Sequence, residues 1–578
     1  MDNGTEVKSP LKDKKKLILL LLIVGVVYTN SLMSGFVGDD ERLIIQKQVF
    51  FSHPANFIKI LTSCDAPLGQ KFPYYRPLNT LTFMLDHYLW GLNPFWYHLE
   101  NLLLHAMVVI LFYLFLMEAF EDGRIAFLAS LLFAVYPVNT EAVDSISGRN
   151  TLFCAAFSLV SLLLLAKGGR KRIAVSFLAY FLALLSKEPA VVLPFFLLSF
   201  GLTAREEKFK VKKDVLIGFF AVTAVYFFIR RLVLGAFTSS TGIELSVSRL
   251  KLIAAVYFEH FRLFVFPFIL NALYVDRAVP FTMVKGAVAI TGILLLLYFS
   301  LAKRTPSPVR AGAQWIFWGL LLVSNIVKIP SAPVADRYQY TIIFGFVLIL
   351  GYLLAGLQKK RIMAGAAMTF AIVIPLSART FMRNFIWKDS FSLYSSLVRS
   401  DPENPIARYD LGVSYMKRGD PGDAYREFKT ALSINPGLPM AWMNLGVISA
   451  QRGLAADSER QLSAALALDP GLSEAHLDLG VTYYREGCLP DSVRELKAAL
   501  AIDPRFVQAW LNLGIAYEDE GKTEKAIQGY RMAAQLAPGL LKAHLLLGKC
   551  YQKEGFPEEA AREFQIVRKL DPGNASGH

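Results

Sequence analysis

Three carboxylates in a row, Asp39, Asp40 and Glu41, follow a glycine and precede Arg42 just beyond the first long apolar run of the chain. A carboxylate at the edge of an apolar region can take the proton of a substrate hydroxyl as a general base. It can also cap a short helix and answer the helix dipole. Adjacent side chains point in different directions, so one base with one positioning group fits Asp39 and Asp40 better than a cooperating dyad, and Glu41 supports them. Cations recur in similar settings: Arg76 in Tyr74-Tyr75-Arg76-Pro77-Leu78, Arg149 in Ser147-Gly148-Arg149-Asn150, Lys187 before Glu188, the pair Arg230 and Arg231, and Arg337 between Asp336 and Tyr338. Guanidinium groups there either fork around a substrate phosphate or anchor to lipid phosphates. His98 and His105 share a helical face, and without further ligands at metal spacing they read as packed or hydrogen-bonded.

These residues need a frame, and composition says what kind. The chain of 578 residues is 54% hydrophobic and only 19% charged, which excludes a wholly soluble protein. Its net charge is +14, yet residues 401–578 hold 20 Lys and Arg against 24 Asp and Glu, so the preceding 400 carry +18. That excess sits between apolar runs, at Lys8–Lys16, Arg124, Lys167–Arg172, Arg205–Lys213, Lys303–Arg310 and Lys359–Arg361. The pattern is that of cytoplasmic loops. Nucleic-acid patches are not dealt out one per hydrophobic run, so no nucleic-acid partner is expected.

The first run, Leu17–Leu32, is read as an uncleaved span, because no small-residue cleavage site follows it. Later runs fall near 97–120, 124–137, 150–166, 173–186, 190–203, 214–234, 281–302, 313–329, 340–357 and 362–378. With Leu250–Leu270 as a horizontal or re-entrant helix, these give about eleven crossings, the N-terminus inside and everything after Ser377 outside. The carboxylates and cations above then all meet the outer face. A transporter would place its binding groups near the midplane, and so ranks last among the functions considered.

The tail has a period of its own. Pro402, Pro436, Pro470, Pro504, Pro538 and Pro572 are spaced by 34, as are Leu411, Leu445, Leu479, Leu513 and Leu547 before their glycines, which is the tetratricopeptide signature. The expected architecture is all-α: a multi-span bundle over 1–380, a connecting half repeat over 381–400 and a solenoid of five repeats over 401–578. Asp410, Asn444, Asp478 and Asn512 recur two residues before the repeat glycine and form a row on the concave face, broken by Leu546. Amides can pair with both donor and acceptor of an extended peptide; plain solvation of an open groove is the competing reading.

Taken in order along the chain, Gly38-Asp39-Asp40, Tyr75-Arg76-Pro77-Leu78, Tyr97-His98-Leu99-Glu100-Asn101, Pro137-Val138-Asn139-Thr140-Glu141-Ala142, Gly148-Arg149, Lys187-Glu188 and Arg337-Tyr338 resemble the transmembrane and tetratricopeptide repeat-containing O-mannosyltransferases. A bacterial relative is expected, in an inner membrane with the repeats in the periplasm; the alternative is an endoplasmic reticulum membrane with the repeats in the lumen. The last motif starts with Asp336 where that family usually has Glu, and Asn139 stands where it has His. The resemblance implies a GT-C type glycosyltransferase using a polyprenyl-phosphate-linked, mannose-like sugar as donor. Asp39 or Asp40 would be the base on a hydroxyl of a protein acceptor. Arg76, Arg149, Lys187 and Arg337 would stabilise the leaving phosphate, with Glu41, His98, Glu141, Glu188, Arg230, Arg231, Asp336 and Tyr338 in support. The repeats would bind the extended acceptor, and membrane lipids surround the bundle.

Asp39, Asp40 and Glu41 offer hard oxygen ligands for Mg²⁺ or Mn²⁺, but three consecutive carboxylates do not define an octahedron, and no tightly bound metal or cofactor is expected. Cys64, Cys154, Cys488 and Cys550 form no CxxC and no disulfide framework. Asn574-Ala575-Ser576 is a formal glycosylation sequon. The competing function is a non-enzymatic membrane scaffold whose repeats recruit protein partners.

Overall fold

The computed structural model describes residues 14–62, 74–203, 210–235, 246–271, 280–326 and 333–571. Lys8, Arg205, Cys64, Pro572 and the sequon at Asn574 lie outside them. The chain is all-α, with no β-sheet among the described residues, and contacts divide it into Met1–Ser400 and Asp401–His578.

The first unit is a membrane bundle. Seven stretches among the described residues are long and apolar enough to span: Lys14–Met33, Pro94–Phe120, Ile146–Lys167, Lys213–Leu234, Met283–Leu301, Asp336–Lys360 and Ile362–Trp387. Gly123–Ala134 with Pro137–Asp144, bent by 54°, makes an eighth if taken as one broken span. The other expected crossings are helices too, but Arg170–Ser186, Leu193–Thr203 and Ser307–Val323 have only 17, 11 and 17 residues. Leu193–Thr203 is too short to cross alone, and the other two stand at the lower end of the roughly 17–25 residues a crossing takes, so among the described residues seven stretches, or eight with the bent pair, reach full span length where eleven crossings were expected. Val247–Val265 is a continuous helix with Glu259 and His260 on its buried face.

The bend matters for the site. Helix Gly123–Ala134 stops before Tyr136-Pro137, since proline disfavours a helical residue before it, and the chain continues as three short turns, Pro137–Asn139, Thr140–Asp144 and Ile146–Gly148. Non-helical backbone inside a bundle must be covered by protein, and apart from Ser147 every residue from Pro137 to Gly148 is buried. Close helix approach holds the neighbours in place. A Cβ on Gly312 would lie 2.5 Å from the Gly345 carbonyl oxygen, and one on Gly351 would lie 2.8 Å from the Ala129 nitrogen. Small residues at such crossings let packing substitute for the missing hydrophobic drive in lipid.

The second unit stacks five helix pairs, from Pro405–Lys417 with Pro421–Ile434 to Leu541–Lys553 with Pro557–Leu570. Gly419, Gly453, Gly487, Gly521 and Gly555 turn each pair at φ between 75° and 80°, where glycine is unstrained. One position in the repeat, occupied by Trp510 in the fourth unit, makes the same bond in four units. Arg408, Trp442, Trp510 and His544 each bond the carbonyl of the proline that opens their unit, at 2.6, 2.9, 2.9 and 3.1 Å. Arg408, His476 and His544 also meet Glu427, Glu495 and Glu563 of the following helix at 2.8, 2.8 and 2.6 Å.

Candidate active site

The glycine before the carboxylates turns the chain at φ 59°, and the helix Asp39–Leu43 begins there. Asp40 is fully buried. Its Oδ2 accepts the backbone N–H groups of Val37 and Ile146, both at 3.2 Å, and its Oδ1 accepts that of Ser147 at 2.6 Å. Burial pushes its carboxyl up to about 6, against the lowering effect of those N–H groups. Asp39 has the opposite setting: its side chain is 57% exposed and meets Arg42 at 3.1 Å. Of the two candidate bases, one is a pin between distant turns and the other faces solvent.

Sequence dictates the pin's socket. A Cβ on Gly148 would lie 2.5 Å from the Ala142 carbonyl oxygen, so only glycine fits where the turn Ile146–Gly148 folds back on Ala142. The first loop is held by His98, whose Nε2 lies 3.2 Å from the Gly35 carbonyl oxygen, and by Glu41, which accepts from the Ser390 hydroxyl at 3.1 Å.

Four cations gather around two glutamates. Arg337 binds Glu141 twice, through its guanidinium at 2.5 Å and its backbone N–H at 2.7 Å, and its side chain stays 27% exposed, within electrostatic range of Asp39. Its guanidinium carbon sits 5.6 Å from the centre of the Tyr338 ring. Glu188 takes Arg76 on one oxygen at 2.7 Å and Arg230 on the other at 3.0 Å. Lys187 donates to the Thr151 hydroxyl at 2.6 Å. Burial, then the charges of Arg76 and Arg337, bring its ammonium down to about 7. Lys187, Arg76 and Arg337 thus feel one another, and a further anion among them would be stabilised.

Three expected participants lie elsewhere. Arg149 is buried and fully engaged: Nε to Asn101 at 3.0 Å, Nη1 to Asp86 and to Glu100, the latter at 3.1 Å, and Nη2 to the Tyr97 carbonyl at 3.2 Å. It leaves no guanidinium edge for a phosphate and acts as an internal bracket. Asp336 turns away from Arg337 and pairs with buried Arg383 at 2.5 Å. Arg231 is exposed while Arg230 turns inward, as neighbours on a helix must. Asp86, Asn101 and Arg383 were not foreseen as partners. Each is a buried polar residue in a mostly apolar helix, a setting that by itself marks candidates.

In the repeat unit Asp410, Asn444, Asp478 and Asn512 occupy one register of successive first helices. Asn444 and Asn512 each donate to the carbonyl four residues back, at 2.9 Å. Burial, with Glu474 nearby, raises the Asp478 carboxyl to about 6. Among the described residues no group of three His, Cys, Asp or Glu converges as metal ligands would.

Bundle and solenoid together define an all-α integral membrane protein with a tetratricopeptide tail, and the tetratricopeptide repeat family matches 387–439, 409–473 and 477–540. Protein O-mannosyl-transferase TMTC3 of Homo sapiens is 41% identical over 152 residues, 25% of this chain and 16% of its own. A protein O-mannosyl-transferase of Caenorhabditis elegans is 25% identical over 454 residues, 75% of this chain and 64% of its own. A stretch of 454 residues cannot fit within 401–578, so that similarity reaches into the membrane unit. The chain is thus similar to proteins named protein O-mannosyl-transferases, and spans 16% and 64% of the length of these two. A crystal structure of MamA aligns with 28% of this chain and 96% of its own at 25% identity and a TM-score of 0.27.

Proposed function

We propose that the protein is a glycosyltransferase that moves a mannose-like sugar from a polyprenyl-phosphate donor to a hydroxyl of a protein acceptor, on the outer or luminal side of its membrane. The observation that carries this reading is the exposed carboxylate of Asp39 within electrostatic range of Arg337, itself next to Lys187 and Arg76. Asp39 accepts the proton of the acceptor hydroxyl as that oxygen bonds to the anomeric carbon. The bond from that carbon to the phosphate oxygen breaks, and its electron pair leaves with the lipid phosphate. Arg337, Arg76 and Lys187 stabilise the charge that develops there. Glu141 and Glu188 orient two of these cations and offset their repulsion. Asp40 is a positioning residue, and Arg149 braces the helix that follows it. No metal takes part in this scheme.

The row Asp410, Asn444, Asp478 and Asn512 binds the acceptor as an extended peptide. A bacterial inner membrane, with the repeats in the periplasm, is the proposed setting. The test is transfer from a polyprenyl-phosphate sugar by purified protein, followed by mass spectrometry of acceptors. A scaffold without activity would capture partners yet leave every acceptor unmodified.

A further inference from the structure

At the end of the membrane unit that bears the lysine-rich loops lies an apolar cavity of about 320 Å³, walled by Phe112, Leu116, Leu162, Phe196 and Leu348 among others. Its rim is polar. Lys210, Lys212 and Glu118 stand there, beside Gly168 and Gly169, which turn the chain at φ 63° and 90°. Toward the Arg337 side the cavity ends on Trp315 and Phe344, which also bound a second chamber of about 30 Å³ reaching up to Pro189 and Tyr338. The Trp315 indole is fixed there: it donates to the Thr341 carbonyl at 2.6 Å and packs edge-on against Phe196 at 4.9 Å.

These dimensions decide where a ligand comes from. The upper chamber has room for a water or two but none for a hydrocarbon chain. A ligand of the large cavity therefore enters past the lysines. The walls offer no partners to a polar molecule, whereas a lipid chain needs none. Among the described residues lining the cavity, Lys210 and Lys212 stand against one carboxylate, Glu118, which favours an anionic head, and basic residues at this level are what anionic leaflets attract. The geometry points to a lipid site in the leaflet next to Lys210: an anionic phospholipid with one acyl chain in the cavity and its phosphate against Lys210 and Lys212. The site is independent of the transfer reaction. Its acyl chain lies between Arg149–Lys167 and Gln339–Lys360, both of which line the cavity.

Phosphatidylglycerol with a photoreactive group at the end of one acyl chain tests this on the purified full chain. The expected adducts are on Leu159, Trp315 or Phe344, at the closed end of the cavity. Unlabelled phosphatidylglycerol should compete about fivefold or more better than phosphatidylcholine, the discrimination of about one lysine at a membrane surface. Leu162→Trp, which fills the cavity, should remove the adducts, and Lys210→Gln with Lys212→Gln should equalise the two competitors. The wild-type adduct map decides even if the tryptophan variant fails to fold. Adducts confined to outward residues such as Val175 and Leu353 would overturn the proposal. So would equal competition by both phospholipids, or competition by undecaprenyl phosphate alone, which would give the cavity to the donor's tail.

Discussion

Asp40 lends itself to a quantitative test, because its role as a buried pin predicts how stability depends on pH. In the unfolded chain its carboxyl ionises near 3.8; in the fold it holds its proton up to about 6. Below the lower value both states are protonated and the group is neutral in its effect. Between the two, the unfolded state releases its proton and the folded state does not, so stability present in acid is lost as pH rises through 6. The difference amounts to about 3 kcal/mol at neutral pH. Asp40→Asn abolishes the titration while keeping the shape. Its oxygen can still accept from Val37 and Ile146, but its NH₂ then faces the Ser147 N–H, at a pH-independent cost of about 1–3 kcal/mol. Thermal unfolding of wild type and variant in detergent, from pH 4 to 7.5, reads the outcome as a gap between two curves. The variant should be clearly weaker near pH 4 and close to or above wild type at pH 7.5. A gap constant across that range would refute the assignment of Asp40 as a proton-holding pin.

Other expectations follow from the same contacts. Gly148→Ala drives a Cβ against the Ala142 carbonyl and should destabilise by about 1–3 kcal/mol, with the Asp40 socket the first region to lose hydrogen-exchange protection. Arg149→Met leaves Asp86 buried beside Glu100 without its cation; a loss of about 3–5 kcal/mol is expected at neutral pH, read by thermal unfolding, with partial recovery in Asp86→Asn with Arg149→Met. Arg337→Lys keeps the charge and the backbone N–H to Glu141 but not the planar guanidinium, which can hold Glu141 on one edge and a phosphate on another, and transfer should fall about tenfold or more with the folded fraction unchanged. Asn444→Ala with Asn512→Ala should raise the KM for a protein acceptor while leaving kcat within about twofold.

How far sequence went is clearest from Asp39 and Asp40. Adjacency and the rule that neighbours diverge predicted one base and one positioning group, but not which was which. What separates the two settings is Ser147 and Ile146, more than a hundred residues away, whose N–H groups take up Asp40 while Asp39 faces solvent. Arg149 shows the same limit from the other side. An arginine at the start of a helix reads alike whether it meets a ligand or Asp86, and Asp86, the one carboxylate of its helix, carries nothing local to mark the pairing. The solenoid was legible because its contacts repeat every 34 residues, so spacing alone encodes them. Its alternation of Trp with Arg or His before the Asp and Asn row was just as periodic, and it was missed because those residue types share no property except a donor for the proline carbonyl. The number of crossings is harder to read, because the helices of 17, 11 and 17 residues at Arg170–Ser186, Leu193–Thr203 and Ser307–Val323 stand at or below the length of a span.

The central claim is that Asp39, not Asp40, takes the acceptor's proton. Purified Asp39→Asn and Asp40→Asn proteins, matched for folded fraction by size exclusion and thermal unfolding, are assayed for single-turnover transfer from a polyprenyl-phosphate sugar. The account predicts that Asp39→Asn loses about 10²–10⁴-fold in rate and that Asp40→Asn keeps most of it once folded. Full transfer by Asp39→Asn, or a loss confined to Asp40→Asn, would contradict it.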